Sequence, residues 1–338
     1  MLGFLNKLAI FGALLSLLSG CYVLKQGYQL HYQLHEQRSP ISEYLKSATP
    51  KQKTKLHFLS EVMEYARRQG LDNDGSYEHV VDNKQKYISY LVYAAYPYQY
   101  KSKTWWAPFV GTVPYLGFFD ENDQKELAVD LEQEGFEVYK AVAGGFSSLG
   151  WWDDPIYTQM LRRDKIDLAM LIFHELVHTT FWIKGSVKLN ENLAEFIGLK
   201  LTKEFFGKRN RKELITELNQ RMSDHNLYLE WLRNKKDRLK DFLNDPKKTK
   251  VEKKSFKDRL YNEMNTQLPS FKTKKFNYLI RKKWNNASMI AASLYSPDTK
   301  KFEILYRCSN PKNAGHFLKI LKEKLNTNPE VSTQNICP

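Results

Sequence analysis

Two histidines four residues apart, His174 and His178, flank Glu175 in the run His174-Glu175-Leu176-Val177-His178, and Asn190-Glu191 follows shortly after. On a helix the histidines fall on one face, one turn apart. Two neutral imidazoles at that spacing can hold a single zinc ion, and the intervening glutamate can reach a water on it. Glu191 lies 13 residues past His178, enough for one helix to end, the chain to turn and a second helix to return a carboxylate. Two imidazoles and one carboxylate leave a coordination position open, as a hydrolytic centre requires and a closed structural centre does not. The ion would acidify a bound water to a pKa near ~7. Glu175 would be the general base, taking the water's proton and later giving it to the leaving amine.

Ala169-Met170-Leu171-Ile172-Phe173 is apolar and leads directly into His174, so the pair starts at the edge of a buried helix. Leu189 to Phe196 is partly apolar and carries Glu191 on a second helix. Glu195, one turn after Glu191, is placed to accept a hydrogen bond from a ligating imidazole, and Asn190 is a second candidate for the same support. A second donor to the developing oxyanion is also needed; Tyr115, Tyr295 and His225 are candidates, each with a plain structural alternative. A peptide's free amine would call for an acid, with Asp153, Asp154 and Glu195 available.

The N-terminus sets the compartment. Lys7 precedes an apolar run, Leu8–Leu18, too short to span a bilayer comfortably, which ends in Leu18-Ser19-Gly20-Cys21. This resembles the bacterial lipobox, in which the cysteine is lipidated and residues 1–20 are removed. No aspartate follows Cys21, which by the same resemblance favours the outer membrane, facing the periplasm, over the inner. Several acyl chains anchor stably where one does not. With Cys21 lipidated, Cys308 and Cys337 remain as an even pair in an oxidising compartment, and a disulfide between them is expected.

The 338 residues, 42% apolar and 14% aromatic, suffice for a substantial core. The net charge of +14 is concentrated: residues 201–283 carry 24 Lys/Arg against 11 Asp/Glu. Export makes nucleic acid an improbable partner. An anionic envelope surface met through residues 208–283 is one reading of the charge, and a solvated face is the other. Residues 21–38 read as a polar, aromatic membrane-proximal stalk. Ser39-Pro40 opens one helix and Pro50 another, which ends near Gly70. Tyr87–Phe119 reads as strands and turns, residues 121–135 as a helix capped by Asp120, and Phe136–Ala143 as a strand. The glycine-bearing run from Gly144 to Pro155 could be an edge strand over the metal to which an extended peptide adds, with Gly145, Phe146, Ser147 and Ser148 as contacts; a rigid aromatic turn is the alternative.

Four blocks together resemble the predicted zinc aminopeptidase lipoproteins of bacteria, gluzincin-type metallopeptidases. They are the lipobox; Pro108–Gly111 with Val113–Asp120; Phe146–Pro155; and His174 through Gly198. Leu189–Ala194 is also similar to the third-ligand helix of the large monozinc aminopeptidases, which assigns Glu191 the ligand role. The stretch joining it to His178 is shorter here than in those enzymes. The likeness fades past about residue 285, and residues 208–283 are particular to this chain.

Residues 208–268 carry a thin apolar stripe (Leu214, Leu218, Met222, Leu227, Leu229, Leu232, Leu239) broken at Asp245-Pro246, the pattern of a basic helical hairpin. Beyond it, residues 284–295 read as a helix or strand, Phe302–Tyr306 as a strand, and Gly315–Leu325 as an amphipathic helix. The expected architecture is therefore mostly helical α+β: a zincin-like core with a small mixed sheet over residues 39–207, the hairpin over 208–268, and an α/β segment over 269–338 packed on the core. The expected function is that of a lipid-anchored zinc metallopeptidase, aminopeptidase-like, with peptide as substrate and one zinc per chain. An envelope endopeptidase and a non-catalytic, zinc-containing lipoprotein that binds a partner are the competing readings.

Overall fold

The computed structural model describes residues 22, 24–73, 75–107, 111–143, 153–183, 186–294, 298–327, 331 and 337. The fold is mostly helical α+β, with three small sheets. Its main core lies where helices α3 (Pro50–Arg68), α5 (Lys165–Thr180) and α6 (Val187–Lys208) pack together. The start of α3 follows from its sequence: Thr49 and Gln52 form a reciprocal capping box, and Pro50 takes the first helical position, where no N–H is needed. One face of α3, including Leu56, Leu59, Val62 and Ala66, is buried against α5 and α6. Asp164 caps α5 by accepting from the Asp167 N–H at 2.9 Å.

The largest sheet is antiparallel, with β3 (Ser89–Ala95) between β6 (Leu116–Phe118) and β7 (Glu137–Ala143). Helix α4 (Glu121–Gln133) is capped by Asp120, and Gly135 follows it at φ 86°, the left-handed conformation glycine supplies without strain. Gln124 of α4 donates to the carbonyls of Leu91 and Ala141, fastening the helix across two strands. A second, mixed sheet has the order β1 (Arg38–Pro40), β2 (His79–Val81), β8 (Ile156–Tyr157). A two-stranded ribbon joins β4 (Trp105–Ala107) to β5 (Gly111–Val113).

The hairpin pairs α7 (Lys212–Asn244) with α8 (Lys250–Thr266), and both are welded to the rest of the protein. Arg221 bonds to Asp164 and Asp167 at the start of α5 and to Glu217, and Lys275 also reaches Asp167. Lys257, buried, pairs with Glu137 of β7. Asn286, fully buried, donates to the Tyr96 carbonyl and accepts from the Tyr261 hydroxyl. Lys235 and Arg238 share Glu263. Four of the hairpin's cations, Arg221, Lys235, Arg238 and Lys257, are thus paired with carboxylates of the fold, and Lys235 and Lys257 are buried there.

Two expected elements take another form. Residues 24–35 are helical (α1) rather than a free stalk: the Tyr22 hydroxyl donates to the Gly117 carbonyl at 2.6 Å, Lys25 pairs with Asp123, and Gln26 accepts from Phe119 N–H. Phe302–Tyr306 lies within a helix, α10 (Lys300–Ser309), where a strand is expected, so the segment from 269 is helical with no strand among its described residues. The aromatic and branched residues of that run favour a strand locally. Phe302 and Leu305, three apart, are both fully buried, Phe302 stacking on Phe196 of α6 at 6.2 Å, while Ile304 faces out. Burial at helical spacing outweighs the local preference. The stretch after Trp284 forms the helix α9 (Asn286–Leu294), and α11 (Ala314–Thr327) is the last helix among the described residues. Cys308 and Cys337 are bridged, their Cα atoms 5.3 Å apart and 29 residues separated in sequence; closing such a loop contributes about 3–4 kcal/mol in the chain-entropy account. Among the described residues no helix is long and apolar enough to cross a membrane. Residues 1–21, with Cys21, lie outside them.

Candidate metal centre

Helices α5 and α6 pack antiparallel along their length, and they come close together at Gly198. A Cβ built there would stand 3.3 Å from the His174 backbone nitrogen and 3.4 Å from the Met170 carbonyl oxygen. Glu191 precedes Gly198 by two helical turns, so the tight crossing carries it to the histidine face of α5. The short connection between the helices is held by Asn190, whose side-chain amide accepts from the Ile183 N–H and donates to the Ile183 carbonyl, both at 2.8 Å. Both ends of that amide are spent on the loop. Asn190 therefore fixes the entry of α6, and the expected support of an imidazole by Asn190 is replaced by support of the turn.

The two Nε2 atoms of His174 and His178 stand 3.1 Å apart. One carboxylate oxygen of Glu191 lies 3.4 Å from His174 Nε2, and the other 3.3 Å from His178 Nε2. The three residues form a group able to hold a metal ion, with donor atoms within 4.8 Å of one another. A tetrahedral ion with bonds of about 2 Å sets its ligand atoms about 3.3 Å apart, so the observed separations fit. The ring-nitrogen pair has no need of such closeness for packing, and His178, 6% exposed, leaves its other ring nitrogen buried with no partner among the described residues. The Trp182 ring covers His178 at 5.4 Å.

The electrostatics are those of a compact acid–base cluster. Burial tends to raise the Glu191 carboxyl, but the two imidazoles outweigh it and hold the group at about 2. Burial tends to lower His174, yet Glu191, Glu175 and Glu195 together raise it above its ordinary 6.5. Glu175 is raised, first by burial and then by Asp154 and Glu191, against the opposing pull of the histidines. Glu195 reaches His174 Nδ1 at 3.8 Å, on the side away from the ring nitrogen that faces Glu191.

His174, Glu175 and Glu195 line a cleft of about 280 Å³, which also takes in Asp167, Arg163 and the apolar Met170 and Leu171. Of the acids expected to meet an amine, Glu195 lies in this cleft. Asp154 is buried, its charge directed at Glu175 and Tyr77. Asp153 packs its carboxylate against Gly75. Tyr115 packs against Tyr93, the rings tilted and 5.1 Å apart, in the cluster under α9. His225 projects from α7 toward Glu195; burial lowers its pKa, Glu195 opposes, and its Nε2 has no hydrogen-bond partner among the described residues. Tyr295 and the run Gly145, Phe146, Ser147, Ser148 lie outside the described residues.

Tyr77 has no counterpart in the sequence reading. It sits at φ 65° beside Glu175, fully buried, its N–H bonded to the Asp154 carbonyl at 2.7 Å. A tyrosine in the left-handed region is uncommon and marks local constraint. Nothing in the polar stretch around it signals that role.

The fold and the centre together define a mostly helical α+β protein with a His–His–Glu cluster of metal-binding geometry. The chain belongs to the family described as "Putative aminopeptidase", whose model matches residues 21–335; this supports a peptidase. No curated protein and no solved structure matches it.

Gly198→Leu should force the helices apart against backbone atoms, destabilising the protein by about 1–3 kcal/mol and weakening metal uptake. Thermal unfolding and metal titration check both, and unaltered metal affinity would count against the crossing as the positioning device. In the stripped protein, His174 is raised and so carries a proton to higher pH than an ordinary histidine, whereas Glu191 at about 2 stays ionised. Apparent metal affinity should therefore climb with pH through the neutral range and level off above it. Calorimetry in two buffers of different ionisation enthalpy would detect the released proton.

Proposed function

We propose that this protein is a zinc metallopeptidase with a zincin-like core, trimming peptides from their N-termini outside the cytoplasm, where a lipidated Cys21 tethers it to the outer membrane. The observation that carries the reading is the convergence of His174, His178 and Glu191 at separations that suit a tetrahedral ion, next to an acid and a cleft. Family membership supports a peptidase. Bound there, zinc would polarise the scissile carbonyl and lower the pKa of a water to about 7.

The rest is the work of this chain's own side chains. Glu175 adjoins His174, and the buried carboxyl, raised toward neutrality, suits a group that takes a proton from the attacking water and returns it to the leaving nitrogen. Glu195 lies 3.8 Å from His174 Nδ1, close enough for its charge to favour a proton on that ring nitrogen and leave Nε2 toward Glu191. Its carboxylate also lines the cleft, where it can accept from a substrate ammonium. Met170 and Leu171 supply apolar wall for a side chain.

Glu175→Gln should keep one zinc per chain by elemental analysis and lose about 10²–10⁴-fold in hydrolysis. Wild type should cleave fluorogenic peptides with a free amine and spare the same peptides when N-blocked. Cleavage of the blocked set would convert the assignment to an endopeptidase, and no cleavage of either by zinc-loaded protein would defeat the hydrolase reading. Cys21→Ser should move the protein from the membrane to the soluble fraction of the cell; if the variant stays at the membrane, the lipid tether is wrong.

A further inference from the structure

A cavity larger than the cleft at His174 lies away from the His–His–Glu cluster. It measures about 620 Å³ and lies where the C-terminal end of α3, the end of α5 and the first turns of α11 meet. Its lining is cationic: Arg68, Lys312, Lys319, Lys322 and His316 contribute, and among the described residues no aspartate or glutamate does. Arg68 is paired with Glu64, and Lys319 only loosely with Glu323 at 3.9 Å; no ion pair is found for Lys312 or Lys322 among the described residues. Arg68, Lys312, Lys319 and Lys322 are all exposed at the rim, so their mutual repulsion is screened by water and salt, and it is relieved further by an anion that meets several of them at once.

The cavity's frame is set by the backbone. Gly315, in the first turn of α11, abuts the α3 C-cap so closely that a side chain there would run into the Gln69 carbonyl. Behind it, Phe317, Leu318 and Leu321 anchor α11 in the main core, so the cationic face is held at a fixed distance from α3. His316 is held too: its Nδ1 accepts from the Lys312 N–H at 3.0 Å, which places the ring proton on Nε2 and makes that nitrogen a donor. Thr180, on the opposite wall, spends its hydroxyl on the Asp72 N–H and the Leu176 carbonyl. The walls thus present donors and positive charge on a rigid frame, with a volume beyond that of a single small ion.

We propose that this cavity binds a multiply charged phosphate group, either of a soluble phosphoanhydride or of a phosphorylated lipid headgroup. Lysine ammonium groups and an arginine fork match phosphate oxygens, and two or more negative charges would neutralise the cluster. The proposal stands apart from the metal centre and does not depend on it.

The test uses the full chain and two probes: inorganic pyrophosphate by calorimetry at low ionic strength, and sedimentation with vesicles containing phosphatidic acid, whose headgroup is a phosphomonoester, against phosphatidylcholine vesicles. Pyrophosphate should bind saturably at one per chain. Lys312→Gln/Lys322→Gln, at two exposed positions, should weaken binding about tenfold or more with the melting temperature unmoved. Lys253→Gln/Lys254→Gln, on the far-off α8, controls for diffuse charge and should change nothing. Vesicle binding that the cavity variant abolishes, without pyrophosphate binding, identifies the headgroup as the source. Failure of both probes, or equal loss in the cavity and control variants, overturns the proposal.

Discussion

The crossing of α5 and α6 at Gly198 is the constraint on which the rest depends. With backbone atoms only 3.3–3.4 Å from where a Cβ would be, no side chain larger than hydrogen sits there without the helices giving way. Two turns away, that closeness becomes a carboxylate within 3.4 Å of two imidazoles. Asn190 completes the device at the turn by holding both backbone groups of Ile183. The metal-binding geometry is a property of helix packing, and the ligands themselves do little to impose it.

The surrounding structure braces this pair of helices from several directions. α3 lies along both in the main core, with Tyr65, Phe173 and Phe205 meeting edge to face. α10 and α11 cover α6 from behind, and the Cys308–Cys337 bridge ties the final residues to α10. The hairpin acts at the start of α5, where Arg221 gathers Asp164, Asp167 and Glu217. Asp167 also lines the cleft on which His174 opens, so Arg221 of the hairpin is paired with a residue of that wall.

Much of the fold was legible because its signals are local. Thr49-Pro50 starting α3, Asp120 and Gly135 bounding α4, and Asp245-Pro246 dividing α7 from α8 are punctuation that acts over a few residues. Phe302–Tyr306 was misleading for the converse reason: its strand-like composition is a local property, and the burial of Phe302 and Leu305 against α6 is not. Tyr22 and Gln26 were read as stalk because polar, aromatic residues near a lipobox give no hint of Gly117 and Phe119, more than ninety positions away.

The same division runs through the site. His174, Glu175 and His178 could be named from spacing alone, because one helical turn fixes their relation, and Glu191 from its place on a following helix. What the chain order could not contain was the closeness of the second helix, which a glycine seven residues past the carboxylate decides. Nor could it show that Asn190 serves the turn, that Asp154 and the constrained Tyr77 stand behind Glu175, or that His225 is brought toward Glu195 from another helix. Residue type and short-range period specify which groups are capable of the chemistry. Distances between groups far apart in sequence arise only when apolar faces from separate helices are buried together, and those distances decide which of the capable groups meet.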